Sequence, residues 1–258
     1  MKNNECPIVS VITPVFNGEK YIRRTIESVL SQGYPRIEYI VVDGVSTDKT
    51  QTILDDYKTK IDLTISEPDT GMYDAINKGM QRSSGKILCY LNSDDYFFPD
   101  TIERVVTRFI KAEVEFVFGN CIYVDKNEHE LYRYSGVNLP YSLIKLLGRI
   151  PFAQQTAFWT RELYDKVGGF DQRYKYVADT KYFYECLRLV GTNKSHINEF
   201  LSMFRQHDDA LSTRVYQKMV IEHDMVLSDL GLNIGLSRYL IEAVVKGRNY
   251  QNFIRRFI

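Results

Sequence analysis

The sequence has no excess of charge in either direction: 33 Lys and Arg stand against 33 Asp and Glu, for a formal net charge of zero. Bulk nucleic-acid binding needs a basic surface that displaces counterions, so nucleic acid is not an expected partner. Cysteine is sparse. Cys6, Cys89, Cys121 and Cys186 are far apart, and no CxxC pair exists to suggest a zinc site. Cys89, Cys121 and Cys186 sit in apolar surroundings and read as buried free thiols, which suits a reducing compartment. No apolar run reaches the roughly 20 residues that a membrane-spanning helix requires. The polar start, Met1 to Cys6, lacks the basic end, apolar stretch and cleavage site of a signal peptide. These absences together predict a cytoplasmic protein. Also missing are a GxGxxG loop, which disfavours a dinucleotide site, and a GxxxxGK[ST] loop, which leaves ATPase-type phosphate binding unsupported.

What is present is an alternation of strand-like and helix-like patterns. The chain has 258 residues, 44% of them hydrophobic, enough for one large α/β domain with a sizeable core. Ile8 to Thr13 is a β-branched run ending at Pro14, followed by Ile22, Ile26, Val29 and Leu30 at helical spacing. Ile37 to Val42 reads as a buried strand and Leu63 to Ser66 as a weaker one. A helix with Ile53, Leu54 and Tyr57 inward lies between them. Met72, Ala75, Ile76, Gly79 and Met80 share a helical face, and Ile87 to Leu91 reads as a strand. Asp100 with Glu103 resembles a capping box that opens a helix with Ile102, Val105, Val106 and Phe109 inward. Glu115 to Val124 is strand-like. Further on, Pro151 to Trp159 reads as loop then strand. Arg161 to Val167 and Asp179 to Val190 read as helices, and the chain is again helical from about residue 215. Continuous apolar strands alternating with helices predict a Rossmann-like, mostly parallel sheet flanked by helices.

In such sheets ligands bind beyond the carboxyl ends of the strands. Three of those ends carry polar residues: Asn17, Asp43, and the run Asn92-Ser93-Asp94-Asp95. Adjacent carboxylates repel unless hydrogen bonds or a cation offset the charge. A hard divalent ion does so, and a nucleoside diphosphate leaving group calls for one. The same four residues also suit an ordinary strand-to-helix turn. Asp43 can accept a hydrogen bond from a base or ribose, whereas Ser46, Thr47 and Asp48 suit capping of the next helix. Pro14 to Glu19 forms a turn in which Phe16 is placed to stack on a base. Asp179 serves either as a general base or as a carboxylate favoured by the helix dipole. At the far end, Leu236 to Ile258 mixes five basic residues and one acid, Glu242, with large apolar residues that include Tyr239, Leu240, Val244, Val245, Phe253, Ile254, Phe257 and Ile258. Such a helix lies on an anionic membrane, packs on its own domain, or packs on a second subunit of a homo-oligomer.

Taken in order, these segments resemble glycosyltransferase family 2, the inverting family with the GT-A fold. The resemblance is to bacterial members that build O-antigen and other surface polysaccharides. It rests on Val9 to Asn17, Val41 to Asp48, Asp69 to Gly79, Leu91 to Asp95, Gln154 to Phe158, Gly168 to Asp171 and Ala178-Asp179. It implies a catalytic domain over 1–212, with a nucleotide-sugar half at 1–125 and an acceptor half at 126–212, and a C-terminal helical extension at 213–258. It implies that Pro14, Phe16, Asn17 and Glu19 line the nucleotide pocket, that Asp43 meets the base, and that Asn77, Asn92 and Ser93 lie by the donor. Asp94 is the implied direct ligand of Mn²⁺ or Mg²⁺, with Asp95 beside it and His207 in support. Asp179 matches the catalytic base. Two departures stand out: Asn92 replaces the first acid of the metal element, and Ala178 replaces a frequent Glu before the base.

The implied reaction moves a sugar from a nucleotide sugar, a UDP-sugar by the resemblance, to a hydroxyl of a glycan or lipid-linked glycan. It would take place in the cytoplasm or at the inner face of the cell membrane. Two alternatives stay open. A sugar-nucleotide nucleotidyltransferase would need a Gly-rich basic loop after the first strand, which Pro14 to Glu19 lacks. A non-catalytic binding module of the same fold is compatible with Asn92.

Overall fold

The computed structural model describes residues 6–232. In chain order the elements are β1 (Val9–Val15), α1 (Ile22–Leu30), β2 (Ile37–Asp43), α2 (Thr50–Asp56), β3 (Leu63–Ser66), α3 (Met72–Arg82) and β4 (Ile87–Tyr90). Then come β5 (Tyr96–Phe97), α4 (Thr101–Ala112), β6 (Phe116–Val124), β7 (Glu130–Tyr134), α5 (Tyr141–Leu147), a 3₁₀ turn at Gln154–Thr156 and β8 (Phe158–Thr160). The remainder is α6 (Arg161–Val167), α7 (Ala178–Val190), β9 (Lys194–Arg205), α8 (Leu211–Arg214) and α9 (Tyr216–Asp229).

Strand periodicity explains why the central strands are largely apolar on both faces. Successive side chains point to opposite faces. Val9, Val11 and Val15 enter one core with Ile22, Ile26 and Val29 of α1, while Ile12 enters the other with Ile76 and Met80 of α3. Tyr39 and Val41 against Ile40 and Val42, and Cys89 against Leu88 and Tyr90, divide the same way. Both faces are covered, and the buried polar positions of β1, Ser10 and Thr13, are hydrogen-bonded, to Glu38 and to the Tyr39 hydroxyl. Gly79 lets α3 close on β1, since a Cβ there would lie 2.6 Å from Ile12 Cγ2.

The sheet runs β3-β2-β1-β4-β8-β6-β9-β5, with β7 beside β6. Its first four strands are parallel, as the alternation predicts. Beyond β4 it becomes mixed: β8 is antiparallel to both neighbours, β7 to β6 and β5 to β9, while β9 is parallel to β6. One sheet therefore crosses residue 125. The strand order reverses direction between β1 and β4, and there the two strands part. Their ladder ends at Ile12 opposite Tyr90, while β1 continues beside β2 through Pro14 to Val15. Pro14 is tolerated because it lies where the β4 side has opened and no ladder donor is needed. This divergence is the crevice in which such sheets bind ligands.

Several elements depart from the sequence reading. The helix at Thr101–Ala112 is present, with Ile102, Val105, Val106 and Phe109 buried, but the capping box is not. Asp100 adopts a left-handed backbone, φ 60°, and its side chain makes no capping bond. The amide of Ile102 is instead satisfied at 3.1 Å by Gln32 Oε1, from the chain just after α1. Strands β5, β7 and β9 and helix α5 have no counterpart in the sequence reading. Val226 and Leu227 of α9, with Leu232, join the core that holds α7. The segment Leu236–Ile258, with its membrane or subunit reading, lies outside the described residues. Among the described residues no helix is long and apolar enough to cross a membrane.

Candidate active site

The turns after β1 and β2 are bonded to each other. The amides of Asn17, Gly18 and Glu19 donate to Ser46 Oγ (2.8 Å), Thr50 Oγ1 (2.8 Å) and Asp48 Oδ2 (3.0 Å). In return Asn17 Oδ1 accepts from the Thr47 amide and Glu19 Oε2 from the Lys49 amide, each at 2.8 Å. Asn17 holds φ 53°, a left-handed conformation that Asn tolerates better than most residues. Asp48 also accepts from the Thr50 amide at the start of α2, as the capping reading expected. Asn17 and Glu19 thus shape the pocket by joining two loops. Pro14 is buried within its strand, and Phe16 stands out from the turn, 63% exposed. That leaves an aromatic face beside the crevice without an internal partner.

Asp43 is buried at the end of β2. It accepts from the Ser46 amide (3.1 Å) and hydroxyl and from the Ser66 hydroxyl (2.9 Å). Its carboxylate is thus engaged by the Ser46 loop and by Ser66 rather than left open. Asn77, which the resemblance places by the donor, is committed to backbone bonds. Both ends of its buried amide bind the backbone of Phe170: Nδ2 donates to the carbonyl and Oδ1 accepts from the amide, each at 2.8 Å. Only glycine fits the next position, since a Cβ on Gly169 would lie 2.6 Å from Asn77 Oδ1. Asn77 is thus a clamp on the Gly168-Gly169-Phe170 turn. Asn77→Ala would strand the buried Phe170 amide and is expected to cost about 1–3 kcal/mol. A lowered urea midpoint at unchanged slope would register this; an unchanged midpoint removes the clamp.

The acid run leaves β4 and is held from three sides. Thr25 of α1 donates its hydroxyl to the backbone carbonyls of Ser93 and Asp95. Gln154 donates to the Tyr90 carbonyl at 3.0 Å and accepts from Asn92 at 3.5 Å. Ser93 faces the first turn beside Gly18. Arg205, at the end of β9, supplies the third support. Its amide donates to Asp95 Oδ1 (3.0 Å), its Nε to the Asp94 carbonyl (3.1 Å), and its guanidinium pairs with Glu128 (2.9 Å). The rings of Tyr21 and Tyr96 lie 4.7 and 5.3 Å from that guanidinium. Sequence reasoning passed over Arg205 and Thr25, because neither carries a local signal.

Asp94 keeps a partly exposed carboxylate, and His207 Nε2 meets its Oδ2 at 3.0 Å. Asp95 does not join them at one point. It is 1% exposed, and burial first, then the Asp94 charge, push its carboxyl well above the usual range. Three buried polar atoms here lack partners: Asn92 Oδ1, Asp95 Oδ2 and His207 Nδ1. No three acid, His or Cys side chains converge on a metal position among the described residues. The donor set still fits a divalent ion of the kind that uses one carboxylate, with substrate phosphates and water completing its shell. Asp94 and His207 would be its protein ligands, and Asp95 the buried acid behind them.

Asp179 lies in the first turn of α7, half-buried. Its Oδ1 accepts from Tyr73 Oη (2.9 Å) and the Thr180 amide (2.8 Å), and its Oδ2 from Tyr90 Oη at 3.4 Å. Desolvation raises its pKa, and the bonds from Tyr73, Thr180 and Tyr90 oppose the rise. Tyr90 is the last residue of β4, so this raised carboxylate stands two residues from the start of the acid run. A partly exposed carboxylate of elevated basicity is suited to accept a proton. Tyr73 and Tyr90 were read only as part of a helix motif and a strand. Their hydroxyls meet Asp179 because of where the chain returns at α7.

Comparison with known proteins agrees with this geometry. The profile of glycosyl transferase family 2 matches residues 10–180. An uncharacterised glycosyltransferase of Rickettsia typhi is 34% identical over 235 residues, 88% of this chain and 72% of that protein. A putative teichuronic acid biosynthesis glycosyltransferase of Bacillus subtilis, TuaG, is 37% identical over 115 residues, 43% of this chain and 46% of that protein. Among solved structures, a mannosyltransferase of Pyrobaculum calidifontis in complex with GDP-Man and Mn²⁺ superposes with a TM-score of 0.65 at 18% identity. That superposition covers 98% of this chain and 74% of the other. The fold is the GT-A fold, as the sequence reading expected, and the chain belongs to glycosyl transferase family 2.

Proposed function

We propose that the protein transfers a sugar, with inversion, from a nucleotide sugar to a hydroxyl of a glycan or lipid-linked glycan in surface polysaccharide biosynthesis. The observation that carries this reading is Asp179, a desolvated carboxylate held by two tyrosines beside the strand end that bears Asp94. The acceptor hydroxyl gives its proton to Asp179 as its oxygen bonds to the anomeric carbon. The bond from that carbon to the diphosphate breaks on the opposite face, and the transition state has oxocarbenium character. No side chain is needed as a nucleophile.

The base stacks on Phe16, in a pocket set by the joined turns, with Asp43 acting through Ser46. The Pyrobaculum calidifontis neighbour, bound to GDP-Man, supports a nucleotide-sugar donor; uracil is the base that the family resemblance implies. Asp94 and His207 would hold Mn²⁺ or Mg²⁺, which would supply charge neutralisation for the leaving diphosphate. The relation to TuaG supports a surface polysaccharide as the product class. Three buried free thiols, Cys89, Cys121 and Cys186, support a reducing, cytoplasmic setting.

The test is a panel of UDP- and GDP-sugars with Mn²⁺, Mg²⁺ or EDTA, read as nucleoside diphosphate released in the presence of acceptor glycans. Release that depends on donor and acceptor together, with an inverted anomeric signal by NMR, is expected. Pyrophosphate released from a nucleoside triphosphate and a sugar phosphate would instead mark a nucleotidyltransferase. Binding of nucleotide sugars with no turnover on any acceptor would mark a binding module.

A further inference from the structure

Beside the acid run, one face of the sheet carries aromatic surface that the transfer chemistry does not use. Cys121 and Tyr123 of β6 point to the same face, and register places Tyr134 and Tyr132 of β7 and Phe204 of β9 alongside them. Tyr123 and Tyr132 stack at 4.3 Å between centroids, with Phe204 4.8 Å and Tyr134 6.3 Å from Tyr123. The three tyrosines are only half-buried. The shelf adjoins the reaction centre: Phe204 precedes Arg205, whose amide holds Asp95, and Gln155, next to Gln154, donates to Cys121 Sγ at 3.3 Å.

The chain returns to this shelf at Arg149, two residues before Pro151, whose carbonyl accepts from the Val137 amide at 2.9 Å just beyond β7. The Arg149 charge acts on Tyr134, offsetting part of the rise that burial causes there. Its Nε is sealed from water and has no hydrogen-bond partner. The other guanidiniums between 126 and 212 are all engaged. Arg133, Arg173, Arg188 and Arg205 each bind a carboxylate, and Arg161 binds backbone carbonyls. A sealed donor without an acceptor is unfavourable unless a ligand completes it, and guanidinium pairs best with carboxylate or phosphate. Aromatic faces, for their part, take the apolar face of a sugar ring.

We propose that this shelf is the acceptor subsite, with Tyr132 and Tyr134 under a sugar ring and Arg149 binding an anionic group on the acceptor. The group is a carboxylate of an acidic sugar or a phosphate. The assignment rests on the glycosyl-transfer reading and adds the chemical class of the acceptor to it.

Methyl β-D-glucoside, methyl β-D-glucuronide and glucose 6-phosphate serve as probes. Each is titrated by NMR into the protein saturated with UDP and Mn²⁺. At least one anionic probe is expected to bind roughly tenfold or more tightly than the neutral glucoside, in line with a charge-assisted bond. The preferred anion identifies the group. Arg149→Gln should erase the preference and Arg149→Lys should keep part of it. Tyr132→Ala should weaken all three probes, and UDP affinity should stay at the wild-type level in every variant. Absence of an anion preference in the wild type, its survival in Arg149→Gln, or unchanged binding in Tyr132→Ala overturns the proposal. Failure of the wild type to bind any nucleotide overturns the transfer reading instead.

Discussion

Asp179→Asn is expected to lower the transfer rate by on the order of 10²–10⁴-fold, the usual cost of losing a positioned base, while nucleotide affinity stays near wild type. The amide keeps the shape of the carboxylate and the bond from Tyr73, so the loss isolates proton transfer. The pH profile carries a second signature. Desolvation raises the Asp179 pKa, so the rate should fall as pH drops through a value above the ordinary aspartate range. Tyr73→Phe removes a donor that stabilises the charged form and should move that acid limb to higher pH. Stability should move the other way from activity. A carboxyl whose folded pKa exceeds its unfolded one stabilises the fold when protonated, and that contribution is lost as pH rises through the folded pKa. At neutral pH, then, Asp179→Asn should leave the urea midpoint unchanged or raise it. Wild-type turnover in the folded variant removes Asp179 from the mechanism.

Asp94→Ala is expected to abolish the enhancement of nucleoside diphosphate binding by Mn²⁺ and to lower turnover by at least about 100-fold. Asp94 is the one carboxylate of the run that is both partly exposed and in contact with His207. His207→Ala should weaken metal affinity by a smaller factor, about 10–100-fold. Calorimetry with UDP and GDP, in Mn²⁺ and in EDTA, reads both effects. Indifference of the wild-type protein to the chelator ends the metal assignment. Asp95→Ala should fail differently. It leaves the Arg205 amide without its acceptor in a buried place, so the deficit should appear first in the urea midpoint.

Much of the nucleotide half is legible in the residues themselves. Val9 to Val15, Ile37 to Asp43 and Ile87 to Tyr90 carry apolar residues on both faces because helices cover both faces, and that pattern is visible without coordinates. So are the polar ends of those strands, since a carboxylate just past a buried strand needs a reason to be there. The acceptor half is harder to read. Strand β9 mixes polar and aromatic residues because only part of each face is covered, and β8 is three residues long. Local chemistry also misled. Asp100 and Glu103 spell a helix cap, yet the left-handed backbone at Asp100 turns its side chain away and Gln32 does the work.

The sequence by itself determined the parallel half of the sheet and the polar residues at its strand ends, Asp94 among them, whereas Asp179 stood out only through the family resemblance. The reason is that burial periodicity and strand-end polarity are written in neighbouring residues. The tertiary structure alone decided which groups meet. His207 comes to Asp94 across 113 residues, and Tyr73 to Asp179 across 106. It also assigned Asn77 to a backbone clamp and Arg205 to the support of the acid run. Those contacts depend on how far each strand runs before the chain turns back, which is set by packing over the whole sheet and leaves no local mark.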